Sequence, residues 1–195
     1  KKIEIDYSDK DLDIFESEKV KSNLDIINKI PDKSFNQLHL DEKWITDAYR
    51  GRRKSRNFKP INASIVQMCR FIEEFLIKSK KDLVISAGAG TNSLIYGVKE
   101  KFNKNGVFEL NGKKIIILDN ISFTDLKLII KKANLIIACH GSPAHIASSF
   151  NTKIIDIFDQ KNEEFYKFYT SHLRNYKYLY REDFTILAKK ILQLV

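Results

Sequence analysis

Cysteine is scarce in this sequence and long apolar runs are missing. Only Cys69 and Cys139 occur among 195 residues. Each lies inside an apolar pattern, which argues against a disulfide framework and for a reducing compartment. No stretch approaches the roughly 18 apolar residues of a membrane span, and the opening "KKIEIDYSDKD" has no apolar signal-peptide core. The expectation is a soluble, cytoplasmic protein. The sequence also starts without Met, which suits a processed or truncated piece of something longer. Internal repeats and low-complexity tracts are absent.

What is present suits one fair-sized α/β domain, or a domain with an appendage: 43% of residues are hydrophobic and 30% charged. Lys and Arg number 34 against 25 Asp and Glu, a balance of +9. Such a field attracts polyanions, whether nucleotide phosphates, nucleic acid or an anionic membrane surface, although a plain solvated Lys-rich surface gives the same count. No zinc-finger spacing, RNA-binding signature or recognition helix stands out, so no nucleic-acid partner is expected.

Short β-like runs alternate with helical ones. "FNQLHL" (35–40), "DLVIS" (82–86), "KKIIIL" (113–118), "NLIIAC" (134–139) and "TKIIDIF" (152–158) are strand-length, and the last four are rich in β-branched residues. Ile61, Ile65, Met68, Ile72, Phe75 and Leu76 recur at helical spacing, as do Leu94, Val98 and Phe102. Ser122 to Asp125 reads as a capping box, and Ser142-Pro143 as an N-cap with proline at the first helical position. Near-continuous apolar strands separated by helices predict a parallel sheet covered on both faces, a Rossmann-like doubly wound domain. Its core runs from about 35 to 158, and C-terminal helices extend it to 195, closed by "REDFTILAKKILQLV" behind an Asp183 cap. Residues 1–34 are charged with helical spacing at Leu12, Phe15, Val20, Leu24 and Ile27, and predict a helical appendage or linker.

Ligands of open α/β sheets bind beyond the carboxyl ends of the strands. That rule selects the loops "DEKW", "AGAGTN", "DNIS", "HGSPAH" and "DQKNEE". In "HGSPAH", Gly141 allows close backbone approach, the Ser142 helix start offers free N–H groups to a phosphate, and His140 and His145 flank it. A plain turn capped by Ser142 explains the same residues. In "AGAGTN", Gly88 and Gly90 give flexibility and Thr91 would cap the next helix, but the stretch lacks both the third glycine of a dinucleotide fingerprint and the ending of a P-loop. A packing turn remains open there too. Cys139, His140 and His145 lack a fourth zinc ligand at standard spacing, so no metal and no cofactor are expected. "YRGRRKSR" (49–56) is a basic patch for an anionic acceptor, a membrane surface or solvent, and the aromatic run 163–180 reads as packing of the last helices.

The stretch "IILDNISFTDLKLIIKKANLIIACHGSPAHIASSFNTKIIDIF" resembles the C-terminal nucleotide-sugar-binding half of glycosyltransferase family 9, which contains the lipopolysaccharide heptosyltransferases. Ser122, Leu126, Ile129, Ala133, Pro143, His145, Ala147 and Phe158 fall on the family pattern, and "LHLDEKW" and "LVISAGAGTN" follow its earlier strands in register. The resemblance spans about 35–160. It implies one half of a GT-B enzyme and metal-independent, inverting transfer from a nucleoside diphosphate sugar such as ADP-heptose. The acceptor would be a cell-surface glycan or lipid, in lipopolysaccharide biosynthesis, with peripheral association at the inner membrane. It places Lys43, Gly88, Gly90, Thr91, His140, Gly141, Ser142 and His145 at the donor. Lys43 and a helix N-terminus would then share the diphosphate charge.

Two departures bear on activity. The family's Asp-Ser-Gly becomes His140-Gly141-Ser142, and its closing Gly-Pro becomes Asp159-Gln160. The family's acceptor domain and catalytic carboxylate precede the matched region, and 34 residues are too few to form them. The catalytic residues are therefore unassigned. The chain is expected to be the C-terminal part of a longer enzyme, or else a non-catalytic nucleotide-sugar-binding module; a basic nucleic-acid-binding domain is the remaining alternative.

Overall fold

The computed structural model describes residues 25–28, 30, 32–44, 61–88, 92–102 and 107–195. Within them the predicted alternation becomes a seven-stranded sheet. The elements are β1 Phe35–His39, α1 Ile65–Ser79, β2 Asp82–Ser86, α2 Ser93–Phe102, β3 Val107–Leu110, β4 Lys113–Leu118, α3 Phe123–Lys132, β5 Leu135–Cys139, α4 Ser142–Ser149, β6 Lys153–Phe158, α5 Glu163–Thr170, β7 Tyr176–Tyr180 and α6 Phe184–Gln193. Spatial order is β3-β4-β2-β1-β5-β6-β7, with every pair parallel except β3 against β4. The fold is thus the expected Rossmann-like doubly wound α/β sheet.

Strand alternation sorts the core into two layers. Leu38, Ile85, Ile117, Ile137, Ile155 and Ile157 pack under α1, α2 and α6. On the other face, Phe35, Val84, Ile116, Ile136, Ala138 and Ile154 meet α3, α4 and the preceding Ile27 and Ile30. Lys132 Nζ donates to the carbonyl of Ile27 at 3.0 Å, tying that preceding segment to α3. The expected helix in residues 1–24 and the basic patch at 49–56 lie outside the described residues.

Helix starts follow local chemistry. Ser122 and Asp125 form the predicted capping box, with Asp125 N donating to Ser122 Oγ at 3.1 Å and Ser122 N to Asp125 Oδ2 at 3.0 Å. Ser64 and Gln67 form a second box, so α1 begins at Ile65 and Ile61 packs ahead of it. Asp183 accepts from Thr185 N at 2.8 Å, as its cap position required.

Two strands depart from the expectation. β3 folds back on β4 through Asn111 and Gly112, whose φ of 52° and 70° suit a tight hairpin turn. "YKYLY", read as part of a helical aromatic run, is β7, paired parallel to β6. The aromatic run is therefore split: only Glu163–Thr170 is helical. Tyr-rich strands look helical when an amphipathic helix precedes them, and sheet pairing decides the matter.

Candidate functional site

The chain leaves β1 toward β2 and β4, then returns through α3 to place β5 on the other side of β1. The strand order therefore reverses between β1 and β5, the point beyond whose carboxyl ends open α/β sheets form their ligand crevice. The loops at this point are Asp41 to Trp44 and His140 to Ser142.

A 3-10 turn, Glu42–Trp44, follows β1. Trp44 is fully buried and sets its ring edge-on to Phe184 at 6.3 Å, which anchors the turn as a packing residue. Its neighbour Lys43 reaches the other way. Lys43 Nζ donates to Asp41 Oδ2 at 2.8 Å and to the backbone carbonyl of His140 at 2.9 Å, bridging the two loops. A further bond from Lys43 N to Asp41 Oδ1, at 2.9 Å, fixes the turn.

Across the crevice α4 begins at Ser142, not after it. Gly141 is the N-cap, with φ 157° and ψ −154° and no side-chain capping bond. Ser142 is thus the first helical residue and Pro143 the second, which corrects the expected Ser142 cap: the extended glycine does the turning. The helix start is left without a side-chain cap, with a cation close by, since a Cβ built on Gly141 would sit 3.8 Å from Lys43 Nζ. Ser142 and His145 are exposed.

Gly88 lies early in the loop after β2, and a Cβ there would meet no described residue within 4 Å. Gly90 and Thr91 lie outside the described residues. The cap expected of Thr91 falls to Asn92, whose Oδ1 accepts from Leu94 N at 3.1 Å and Ile95 N at 3.2 Å. Its Nδ2 donates to the carbonyl of Leu40 at 3.0 Å, fastening α2 to the end of β1. One side chain does both, the Asn92 oxygen capping α2 and its amide donating to β1.

His140 carries the least expected feature. Its Nδ1 lies 2.6 Å from Oδ2 of Asp156, a fully buried carboxylate on β6. Tyr176 donates its hydroxyl to the same oxygen at 2.7 Å. Burial, then the Asp156 charge, pushes the Tyr176 phenol up, so it stays a donor. Tyr166 packs on the imidazole, centroids 4.3 Å apart, and His145 stands 6.2 Å away. Cys139 faces the opposite layer and burial raises its thiol well above the usual range, so it does not join His140 and His145. Among the described residues no three metal-ligating side chains converge. None of the described helices is long and apolar enough to cross a membrane.

The structure thus brings Lys43, His140 and Gly141 together, with Ser142 and His145 at the exposed start of α4. Sequence reasoning missed Asp156, Tyr176 and Asn92. The one available signal for Asp156 was a charge at an inward position of an apolar strand.

No protein-family model matches the chain, and no curated protein matches it in sequence. Solved structures do match in fold. Escherichia coli heptosyltransferase WaaC, determined with ADP, superposes with a TM-score of 0.51 at 10% identity, covering 89% of this chain and 48% of that one. The E. coli ADP-heptose lipopolysaccharide heptosyltransferase II gives 0.54 at 9% identity, covering 91% and 50%. A UDP-GlcNAc 2-epimerase from Methanocaldococcus jannaschii, solved with UDP-GlcNAc and UDP, gives 0.47 at 16% identity, covering 91% and 42%. The likeness is one of fold, a doubly wound α/β domain that superposes on one half of each heptosyltransferase. The chain spans about half the length of the heptosyltransferases it matches.

Proposed function

We propose that the crevice between β1 and β5 binds the nucleoside diphosphate of a sugar donor, and that residues 35–195 act as the donor half of a family 9-like glycosyltransferase, with 1–34 as a helical appendage. The observation that carries this is the Lys43 ammonium set against the His140 carbonyl beside the uncapped start of α4. A cation and a helix N-terminus at one point can share a diphosphate's charge without a metal ion. Gly88, Gly90 and Thr91 would line the β2 side of the same crevice, and Ser142 and His145 the α4 side. The ADP-bound heptosyltransferase of the same fold supports the reading, and ADP-heptose is the donor class it favours.

Transfer would be inverting, to a glycan or lipid acceptor at the cytoplasmic membrane face, with the acceptor-side base supplied from outside the described residues. Four of the carboxylates near the crevice are already engaged, Asp41 by Lys43, Asp119 by Lys99 at 2.9 Å, Asp159 by Lys161 N at 3.1 Å and Glu163 by Lys167, while Glu164 is exposed. This engagement favours a second reading, a nucleotide-sugar-binding module without transfer of its own. Calorimetric titration with ADP, UDP and GDP tests what both share. Binding of one base with micromolar to millimolar affinity is expected, and no binding of any would overturn both.

A further inference from the structure

Strand β6 carries a residue that packing alone does not call for. Alternation puts Ile154, Asp156 and Phe158 on one face of the sheet, and a fully buried carboxylate there is expensive unless compensated. Asp156 Oδ2 takes both His140 Nδ1 and the Tyr176 hydroxyl, while its Oδ1 has no hydrogen-bond partner among the described residues. A neutral phenol cannot balance the charge. A protonated His140 can.

The same histidine holds two other features of the crevice. Its backbone carbonyl fixes Lys43 Nζ, and Gly141 next to it starts α4. With Nδ1 committed to Asp156, the ring's opposite edge carries Nε2, which has no hydrogen bond to any described residue. Tyr166 covers a ring face and stops the imidazole from swinging. A buried carboxylate that fixes Nδ1–H also fixes what the other nitrogen offers.

We propose that Asp156, steadied by Tyr176, is a positioning residue that holds His140 as an imidazolium whose Nε2–H binds the diphosphate oxygens of the donor alongside Lys43. This rests on the nucleoside diphosphate reading of the crevice. The site then presents two basic side chains, Lys43 and His140, each held by a carboxylate, Asp41 and Asp156. Titratable groups facing the ring are Asp156 on β6, Tyr176 on β7, Tyr166 on α5 and His145 on α4, with the Lys43–Asp41 pair behind its carbonyl. His145 is backed by His172, 6.0 Å away and exposed, which serves as the control.

The test titrates the 195-residue chain with ADP, UDP and GDP between pH 5.5 and 8.5, alongside Asp156→Asn, His140→Gln and His172→Asn. Asp156→Asn and His140→Gln should each bind several-fold more weakly than the unaltered chain at pH 6 and approach it at pH 8.5, the ionisation of the nucleotide's own phosphate being common to all three. His172→Asn should keep the full dependence. Nitrogen-15 spectra should show both His140 ring nitrogens protonated at pH 6, with that state lost in Asp156→Asn. Where Asp156→Asn fails to fold, the profiles of the unaltered chain and His140→Gln decide. A His140→Gln profile parallel to that of the unaltered chain would overturn the role of the pair while leaving the nucleotide site standing. No binding of any nucleotide would overturn both.

Discussion

Lys43 Nζ lies 2.9 Å from the backbone oxygen of His140, a bond that joins residues 97 apart in sequence at the point where the strand order reverses. Neither partner is placed by its own strand. A buried indole anchors Lys43 from one side, and Gly141 turns the chain immediately after His140. The outcome is an ammonium group beside an uncapped helix start, the arrangement from which the nucleotide reading is built.

Lys43→Ala should therefore weaken nucleoside diphosphate binding by about 1.5–3 kcal/mol, the range of a charge-assisted bond, with little change in melting temperature. Calorimetry and a thermal melt on the same sample separate the two. A loss of stability that matches the loss of affinity would make Lys43 a structural tie between loops.

Trp44 carries the opposite expectation. Its side chain is fully buried and packs edge-on to Phe184, which itself packs on Phe71 at 5.7 Å. Trp44→Ala should cost about 3–5 kcal/mol in urea unfolding, as large-to-small core changes do. A cost below 1 kcal/mol would mean that the turn is held by its polar bonds.

Gly141 sits at a φ of 157°, where a side chain is strained whatever the space around it. Gly141→Ala should lower stability by about 1–3 kcal/mol and, by shifting the start of α4, weaken nucleotide binding. Unchanged unfolding and binding would show that the backbone there relaxes freely.

His39 predicts a pH effect on folding. Burial holds its imidazole below the usual value, with Nδ1 against Ser86 Oγ at 3.0 Å. Between that depressed folded value and about 6.5 the unfolded chain binds more protons, so stability rises with pH through this window and levels off above it. Melting temperature should fall as pH drops below about 6.5, and His39→Gln should lose that part of the slope. A His39→Gln profile parallel to that of the unaltered chain would contradict it.

β2, β4, β5 and β6, with their β-branched runs, were legible in the sequence almost to the residue, because burial on both faces leaves little polar alternation to confuse them, and β1 was bounded as closely although it buries Asn36, Gln37 and His39. β3 is four half-exposed residues that depend on the Asn111-Gly112 hairpin, and β7 reads as helix until β6 pairs with it. The loops that carry Lys43, His140 and Gly141 could be chosen because the loop rule needs only the order of strands, and Lys43 itself was singled out by the family resemblance. Asp156 could not, since a single charge in "KIIDIF" gains its meaning from Tyr176 and His140, 20 and 16 residues away. The exchange of Thr91 for Asn92 as cap turns on one bond to the Leu40 carbonyl, which no local pattern contains.

The most direct test of the crevice as the nucleotide site is to follow backbone amide signals by nuclear magnetic resonance while the best-binding nucleoside diphosphate is added. A second cavity, of about 570 Å³ and lined by Asn36, Lys81, Asn134 and Lys153, lies at the amino ends of the strands and serves as the internal comparison. The account predicts saturable shifts at Lys43, Gly141, Ser142 and Ala144 with Asn36, Asn134 and Lys153 unmoved. Shifts concentrated at the amino-end cavity, with the β1 and β5 loops silent, would contradict it.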